Sequence, residues 1–207
     1  MADETSSEAL EELWAGEFGD AYVERNSDAQ KGREDFWRER VEQLELSSVL
    51  EVGCNLGGNL RWLGTLMPEG RIAGIDVNET ALAKCREALS DADLKVASAY
   101  EIPFEDGTFD LVFTTGVLIH LPPGSVEKAM AEIVRCSGRY VLCGEYAADS
   151  EEEVHYRGHE GALFRRDYGG MYQRLHPELS LIDSGFLARD ESSSWDDVTW
   201  WLFEKQA

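Results

Sequence analysis

The feature that most constrains the fold is a glycine-rich turn between two short apolar segments. Residues 49–52 predict a buried strand. Residues 53–57, which include two glycines, come directly after it. Leucines at helical spacing then predict a helix, and residues 72–75 predict a second buried strand that ends in Asp76. A strand, glycine turn, helix, strand and terminal acid in this order are typical of a nucleotide-binding βαβ unit.

Each part of this unit has a physical role beside a bound nucleoside. Gly53 and Gly57 are expected to allow a tight turn and a close approach of ligand to backbone, because glycine has no Cβ. The helix that follows begins with free amide N–H groups and a partial positive charge. Asp76, at the carboxyl end of the second strand, is predicted to accept both hydroxyls of a ribose.

An acid in the first strand separates this turn from those of dinucleotide-binding proteins. Glu51 precedes Gly53 by two residues, and Asn55 stands where such turns have a middle glycine. A carboxylate here repels a pyrophosphate but suits a cationic ligand. The pattern of Glu51, Gly53 and Gly57 resembles the first motif of class I S-adenosylmethionine-dependent methyltransferases. It departs from the motif at Asn55, a residue that tolerates left-handed backbone angles.

Two later segments also resemble this family. Residues 98–100 follow the third predicted strand, where the family surrounds an adenine, and residues 102–112 form an apolar-Pro-Phe turn that leads into the fourth strand. The resemblance implies a Rossmann-like α/β fold, with a seven-stranded, mostly parallel sheet, helices on both faces and an antiparallel last strand. It implies S-adenosylmethionine as the cofactor. It also implies one methyltransferase domain over residues 47–207, behind an N-terminal helical lid over residues 1–46.

The resemblance assigns roles around the cofactor. Asp76 would hold the ribose, the turn and Glu51 the aminoacyl end, and residues 98–100 the adenine. The candidate cofactor-binding residues are Tyr22, Glu51, Gly53, Cys54, Asn55, Gly57, Asp76, Val77, Ser98, Ala99, Tyr100 and Thr115.

The amino-acid composition argues against two classes of binding partner, nucleic acids and anionic membranes. The 207 residues include 41 acids and 19 bases, for a net charge of -22. A general nucleic-acid binder or a protein that docks on anionic membranes needs basic surface, so neither is expected. The four cysteines include no Cys-x-x-Cys pair, and residues 1–12 lack the apolar core of a signal peptide. We therefore expect an acidic cytoplasmic enzyme, either a monomer or a homodimer.

One window of this acidic chain is basic. Residues 155–176 hold seven His and Arg side chains against Glu160 and Asp167. Arginine forks bind carboxylate and phosphate oxygens through two hydrogen bonds, so the window predicts a small anionic acceptor. Ion pairing with the acidic surface is the alternative. The candidate acceptor-binding residues are Arg25, Asn26, Tyr146, Arg157, Arg165 and Arg166.

Three histidines are candidate general bases. His120 lies at the carboxyl end of the fourth predicted strand, the edge where open α/β sheets bind ligands, and a packing role there is equally open. His155 and His159 lie in the basic window. The spacing of these two and His176 matches no zinc pattern, so no metal is predicted.

A narrower resemblance is to methylases associated with pseudaminic acid biosynthesis. It rests on residues 22–26, 51–55, 74–78, 156–159 and 163–167. It implies a nine-carbon acidic sugar or its nucleotide form as acceptor. Two other functions stay open: a nicotinamide-dependent oxidoreductase, whose ribose Asp76 would bind equally well, and a non-catalytic S-adenosylmethionine-binding protein.

Overall fold

The computed structural model describes residues 6–26, 28, 30–190 and 192–206. Its strands are β1 (Ser48–Val52), β2 (Arg71–Asp76), β3 (Asp93–Val96), β4 (Phe109–Thr115), β5 (Ser137–Glu145), β6 (Glu152–Glu153), β7 (Phe164–Arg165), β8 (Leu179–Leu187) and β9 (Val198–Lys205). Its α-helices are α1 (Ser7–Ala15), α2 (Glu17–Arg25), α3 (Glu34–Leu44), α4 (Gly58–Leu66), α5 (Glu79–Ala88), α6 (Val126–Cys136) and α7 (Tyr168–Leu175).

Seven strands form one sheet in the order β3-β2-β1-β4-β5-β9-β8. The first five are parallel, and β9 runs antiparallel to both β5 and β8. The predicted fold class is therefore confirmed. The strand order reverses between β1 and β4, and in open α/β sheets ligands bind beyond the carboxyl ends of the strands at such a point.

Alternate residues of β4 point to opposite faces of the sheet. Leu111 and Phe113 belong to a core cluster with residues of α3, α4 and α5, whereas Val112 belongs to a cluster with residues of α6 and α7. All three side chains are fully buried. The near-continuous apolar sequence of the parallel strands thus reflects helices on both faces.

Helices α1, α2 and α3 belong to the N-terminal segment predicted as a lid. The extended backbone of Gly16 ends α1 and starts α2. Trp37 of α3 is fully buried and its ring lies 4.6 Å from that of Phe113, so α3 packs on the sheet. Residues 1–5, 27 and 29 of the predicted lid segment lie outside the described residues.

The starts of α5 and α6 are capped differently. Asn78 caps α5, because its side chain accepts a hydrogen bond from the Ala81 amide. Ser125 is the N-cap residue of α6, but its side chain makes no capping hydrogen bond. Within the described ranges, no helix is long and apolar enough to cross a bilayer.

A substitution at Gly57 tests how closely the glycine-rich turn packs against α5. Its φ is 71°, and an added Cβ would lie 2.5 Å from the buried Cys85 Sγ on α5. Gly124 also has a positive φ, 82°, but no atom lies within 4 Å of its Cβ position. We expect Gly57→Ala to lower the free energy of unfolding by about 1–3 kcal/mol more than Gly124→Ala does, because only the former adds a steric clash. Urea denaturation of both variants measures the difference, and equal losses would contradict this packing role.

Candidate functional site

A cavity of about 850 Å³ opens at the carboxyl ends of β1, β2 and β4. This volume lies within the range of about 300–1,000 Å³ that is usual for small-molecule sites. Residues of α1 and α2 form one wall, and residues 189, 190 and 193–196 form part of another. The predicted residues that line it are Tyr22, Arg25, Asn26, Glu51, Gly53, Cys54, Asn55, Asp76, Val77, Ala99, Tyr100, Thr115, His120, Tyr146 and Arg157.

The glycine-rich turn is fixed to β2 by its backbone. The amides of Gly53 and Cys54 donate to the Ile75 carbonyl over 2.8 and 2.9 Å. Gly53 has a φ of 74° and Asn55 a φ of 47°. Asn55 therefore adopts the left-handed conformation for which a glycine is usual, which explains why asparagine is accepted there.

The Asp76 carboxylate joins this turn to the start of α5. Its Oδ2 accepts from the Asn55 amide over 2.8 Å, and its Oδ1 accepts from the Asn78 amide over 2.9 Å. Burial raises the pKa of Asp76, while these two amides act in the opposite direction. A carboxylate has about four acceptor positions, so Asp76 keeps positions free for a ligand in the cavity.

Glu51 presents a buried oxygen with no partner to the same cavity. Glu51 is 2% exposed, and its Oε1 accepts a hydrogen bond from Asn59 Nδ2 over 2.6 Å. Oε2 has no hydrogen-bond partner among the described residues. Burial raises the pKa of Glu51 to about 8, against the opposing effects of Asn59 and the Arg33 charge. An unsatisfied buried carboxylate oxygen is costly, so this position favours a cationic or hydrogen-bond-donating ligand.

Three other buried polar atoms of the cavity lining lack a hydrogen-bond partner within the described part of the chain. They are the Asn55 side-chain oxygen, the Trp14 indole nitrogen and the Tyr100 hydroxyl. Buried polar groups are normally paired, so these atoms mark positions for polar groups of a ligand.

Arg33 was missed by the sequence reasoning, although it joins two walls of the cavity. Its Nη1 donates to Asn59 Oδ1 over 2.9 Å, and its Nε donates to Ser194 Oγ over 2.8 Å. Its guanidinium also lies 4.0 Å from the centre of the Trp195 ring. No local pattern separates Arg33 from the other charged residues before α3, since its partners are remote in sequence.

His120 is held as a neutral base beside the cavity. Its Nδ1 lies 2.7 Å from the Ala162 carbonyl oxygen, which only accepts, so Nδ1 carries the proton and Nε2 carries a lone pair. Burial lowers the pKa of His120 to about 4. The rings of Trp14 and Tyr156 lie 4.4 and 5.2 Å from the imidazole. This arrangement fixes the tautomer that a general base requires.

Two exposed arginines line the cavity and make no hydrogen bond or ion pair among the described residues. Arg25 lies 5.9 Å from the ring centre of Tyr22, and Arg157 lies 5.6 Å from that of Tyr156. Arg157 has a φ of 50° and is followed by Gly158 with a φ of 91°. A bulky residue in this conformation is strained, which suggests that its position serves a function.

Gly57 and Ser98 do not line the cavity. The predicted role of Gly57 in ligand approach is wrong, because its missing Cβ makes room for Cys85 on α5. Ser98 is engaged within the protein, where its hydroxyl pairs with Glu11 of α1 and accepts from the Tyr100 amide.

Four predicted residues of the basic window also lie outside the cavity lining. Arg165 pairs with Glu152 on the surface, and the buried Arg166 binds Glu151 and the Leu121 carbonyl. These partners engage Arg165 and most of the guanidinium of Arg166, so of the four arginines predicted to bind the acceptor only Arg25 and Arg157 line the cavity. The other two are His155, which is exposed, and His159, which packs on Phe18. Among described residues, no group of three or more acids, cysteines or histidines is placed to hold a metal ion.

Comparison with known proteins identifies methyltransferases. A family model described as a methyltransferase domain matches residues 49–138, a little under half of the chain, including the turn, Asp76 and His120. An uncharacterized methyltransferase of Schizosaccharomyces pombe is 32% identical over 108 residues, 47% of this chain and 39% of that protein. Tocopherol O-methyltransferase of Arabidopsis thaliana is 32% identical over 110 residues, 49% of this chain and 31% of that protein. The chain thus spans about two fifths or less of these relatives.

Solved structures share the fold. A Burkholderia thailandensis 1,6-didemethyltoxoflavin-N1-methyltransferase with bound S-adenosylhomocysteine superposes with a TM-score of 0.75 at 12% identity, covering 100% of this chain and 93% of that one. A magnesium protoporphyrin IX methyltransferase from Synechocystis with bound S-adenosylmethionine gives 0.69 at 13% identity, covering 97% of each chain. The Rossmann-like fold of these methyltransferases is therefore the fold of this chain.

The protonation state of His120 is directly measurable. We expect its imidazole to stay neutral from pH 8 down to about 5, with the proton on Nδ1, because burial lowers its pKa to about 4. Nitrogen-15 NMR of the histidine rings over this pH range tests both points. The spectrum of His120→Gln identifies the signal by its absence. A midpoint above pH 6, or a proton on Nε2, would contradict the assignment of His120 as a neutral base.

Proposed function

We propose that this chain is an S-adenosylmethionine-dependent methyltransferase that acts on a small anionic acceptor. The observation that carries the proposal is the buried, unpaired oxygen of Glu51, which shares one cavity with Asp76. A cationic ligand with a ribose satisfies both carboxylates, and S-adenosylmethionine carries both a ribose and positive charge. About half of the residues that line the cavity belong to the region that matches the methyltransferase domain.

The polar atoms of the cavity fit this cofactor. The free acceptor positions of Asp76 suit the ribose hydroxyls, and Glu51 Oε2 suits the ammonium group of the aminoacyl end. Ala99 and Tyr100 are the lining residues assigned to the adenine. An ammonium stabilises the ionised form of Glu51, whereas the pyrophosphate of a nicotinamide cofactor does not, so this position favours S-adenosylmethionine over the cofactor of an oxidoreductase.

The protein has two tasks in the reaction. The bound cofactor supplies an activated methyl group on a sulfonium, so the chain mainly has to align the acceptor and exclude water. Trp14 and Tyr22 cover the cavity from α1 and α2. The Nε2 lone pair of His120 is the group that takes the proton released by a hydroxyl or amine acceptor.

Arg25 and Arg157 define the acceptor class. Both line the cavity without an ion pair among the described residues, in a chain with a net charge of -22. They suit a carboxylate or phosphate. The resemblance to methylases associated with pseudaminic acid biosynthesis makes a nine-carbon acidic sugar or its nucleotide form the first acceptor to test. The acidic composition and reduced cysteines support a cytoplasmic monomer or homodimer.

Binding and turnover separate this function from its rivals. Titration calorimetry is performed with S-adenosylmethionine, S-adenosylhomocysteine and NAD. Binding of the first two ligands supports the proposal, and binding of NAD alone overturns it. Methyl release is then assayed over nonulosonic acids, nucleotide sugars and simple sugar acids. Binding without turnover on this panel would favour the non-catalytic S-adenosylmethionine-binding protein.

The pKa of Glu51 predicts how cofactor affinity varies with pH. Without ligand this pKa is about 8, and an ammonium beside the carboxylate lowers it, so binding releases a proton near neutral pH. The Kd for S-adenosylmethionine should therefore fall between pH 6 and 8, by roughly tenfold per pH unit at most. Calorimetry in buffers that differ in ionisation enthalpy measures how many protons are released when the cofactor binds.

Glu51→Gln is the matched control, since it keeps an acceptor for Asn59 and removes the charge. It should bind the cofactor more weakly and show no proton release assignable to this position. An unchanged pH slope in this variant would remove Glu51 from the ammonium site.

Arg157→Ala tests the anion site. We expect it to raise the KM of each sugar acid that turns over by about 10- to 100-fold, because a charged hydrogen bond contributes about 1.5–3 kcal/mol. The Kd of the cofactor should not change. Arg165→Ala is the control, because this exposed arginine lies outside the cavity lining and pairs with Glu152. Equal effects of both substitutions, or a parallel loss of cofactor binding, would defeat the assignment.

A further inference from the structure

Asn78 is buried at the start of α5 and contacts three parts of the molecule at once. Its Oδ1 accepts from the Ala81 amide over 2.7 Å, and its own amide donates to Asp76 Oδ1 over 2.9 Å. Its Nδ2 donates to the Trp14 carbonyl over 3.1 Å and to Asp20 Oδ1 over 3.0 Å. One side chain therefore binds α1 and α2, while its backbone binds the carboxylate beside the cavity.

The helices α1 and α2 have little core of their own. Their fully buried residues are Leu10, Gly19 and Val23. The ion pair between Glu24 and Lys84 joins α2 to α5, but both side chains are exposed, and such pairs contribute little. The hydrogen bonds of Asn78, which is 4% exposed, are shielded from water and are correspondingly stronger.

Gly19 provides a second, independent sign that this contact matters. A Cβ at Gly19 would lie 1.8 Å from the Trp14 carbonyl oxygen and 2.8 Å from Asn78 Nδ2. Both distances are far below van der Waals contact, so α2 reaches Asn78 only because residue 19 is glycine.

We propose that Asn78 is a positioning residue that fastens α1 and α2 over the cavity and so slows the exit of a ligand bound at Asp76. A ligand that orders Asp76 also orders the backbone of Asn78, and Asn78 then holds Trp14 above that ligand. The coupling acts in both directions, because each contact stabilises the other. The identity of the ligand, S-adenosylmethionine, rests on the proposed function.

Asn78→Asp separates the two roles of the side chain. Aspartate caps a helix as well as asparagine does, so α5 keeps its cap. The variant loses both donated hydrogen bonds and places a carboxylate against Asp20. The helices α1 and α2 should therefore loosen while α5 stays intact.

Hydrogen exchange of the ligand-free protein, followed by mass spectrometry, tests this separation. In Asn78→Asp, peptides from residues 7–25 should exchange about tenfold faster, the effect of losing roughly one net hydrogen bond. Peptides from residues 79–88 should be unchanged. Asp20→Asn combined with Asn78→Asp reverses donor and acceptor between residues 20 and 78 and should restore part of the protection, because the Trp14 carbonyl still lacks its donor. Asp20→Asn alone should behave like the native chain.

Dissociation of S-adenosylmethionine, measured by stopped flow, should be about tenfold faster in Asn78→Asp and recover in part in the double variant. Native exchange rates over residues 7–25 in Asn78→Asp, or loss without recovery, would overturn the role of Asn78. Failure of the native chain to bind S-adenosylmethionine would instead overturn the proposed function, and the exchange result would still decide whether Asn78 fastens the helices.

Discussion

The carboxylate of Asp76 accepts hydrogen bonds from two backbone amides. These bonds hold together the edge of the sheet where the cavity lies. One amide comes from the turn after β1, at Asn55, and the other from the start of α5, at Asn78. These segments follow different strands, and the carboxylate links them directly. Because both meet on Asp76, the turn, the second strand and α5 form one rigid frame, and the cavity takes its shape from that frame.

The site contains buried charge that folding alone does not require. Glu51 is almost fully buried with one oxygen unpaired, and Arg33 reaches it only through Asn59. Removing a carboxylate from water without a full set of partners costs stability. Such a group is retained where a ligand completes its hydrogen bonds. The unpaired atoms of Asn55 and Trp14 beside the same cavity have the same explanation.

The fold, and the meeting of the glycine-rich turn and Asp76 at one cavity, could be predicted because their signals are local. The turn, Asp76 and the strand patterns lie in short windows with a direct physical meaning. Which arginines line the cavity could not be predicted as well. Arg165 and Arg166 look like Arg157 in sequence, and only the positions of Glu151 and Glu152 determine which arginines are occupied. Arg33 gives no local signal, since its partners Asn59 and Ser194 are brought near by the fold.

The position of β9 within the sheet affects the order in which the chain can assemble. This strand lies between β5 and β8, although β8 precedes it in the chain. During synthesis β8 has no neighbour in the sheet until β9 has left the ribosome. Residues 189, 190 and 193–196, which lie between these two strands in the chain and form part of the cavity wall, are placed at the same late step. Nascent chains that stop before β9 would therefore contain the βαβ unit but lack part of one cavity wall. The edge of β5 that pairs with β9 would be exposed to chaperones.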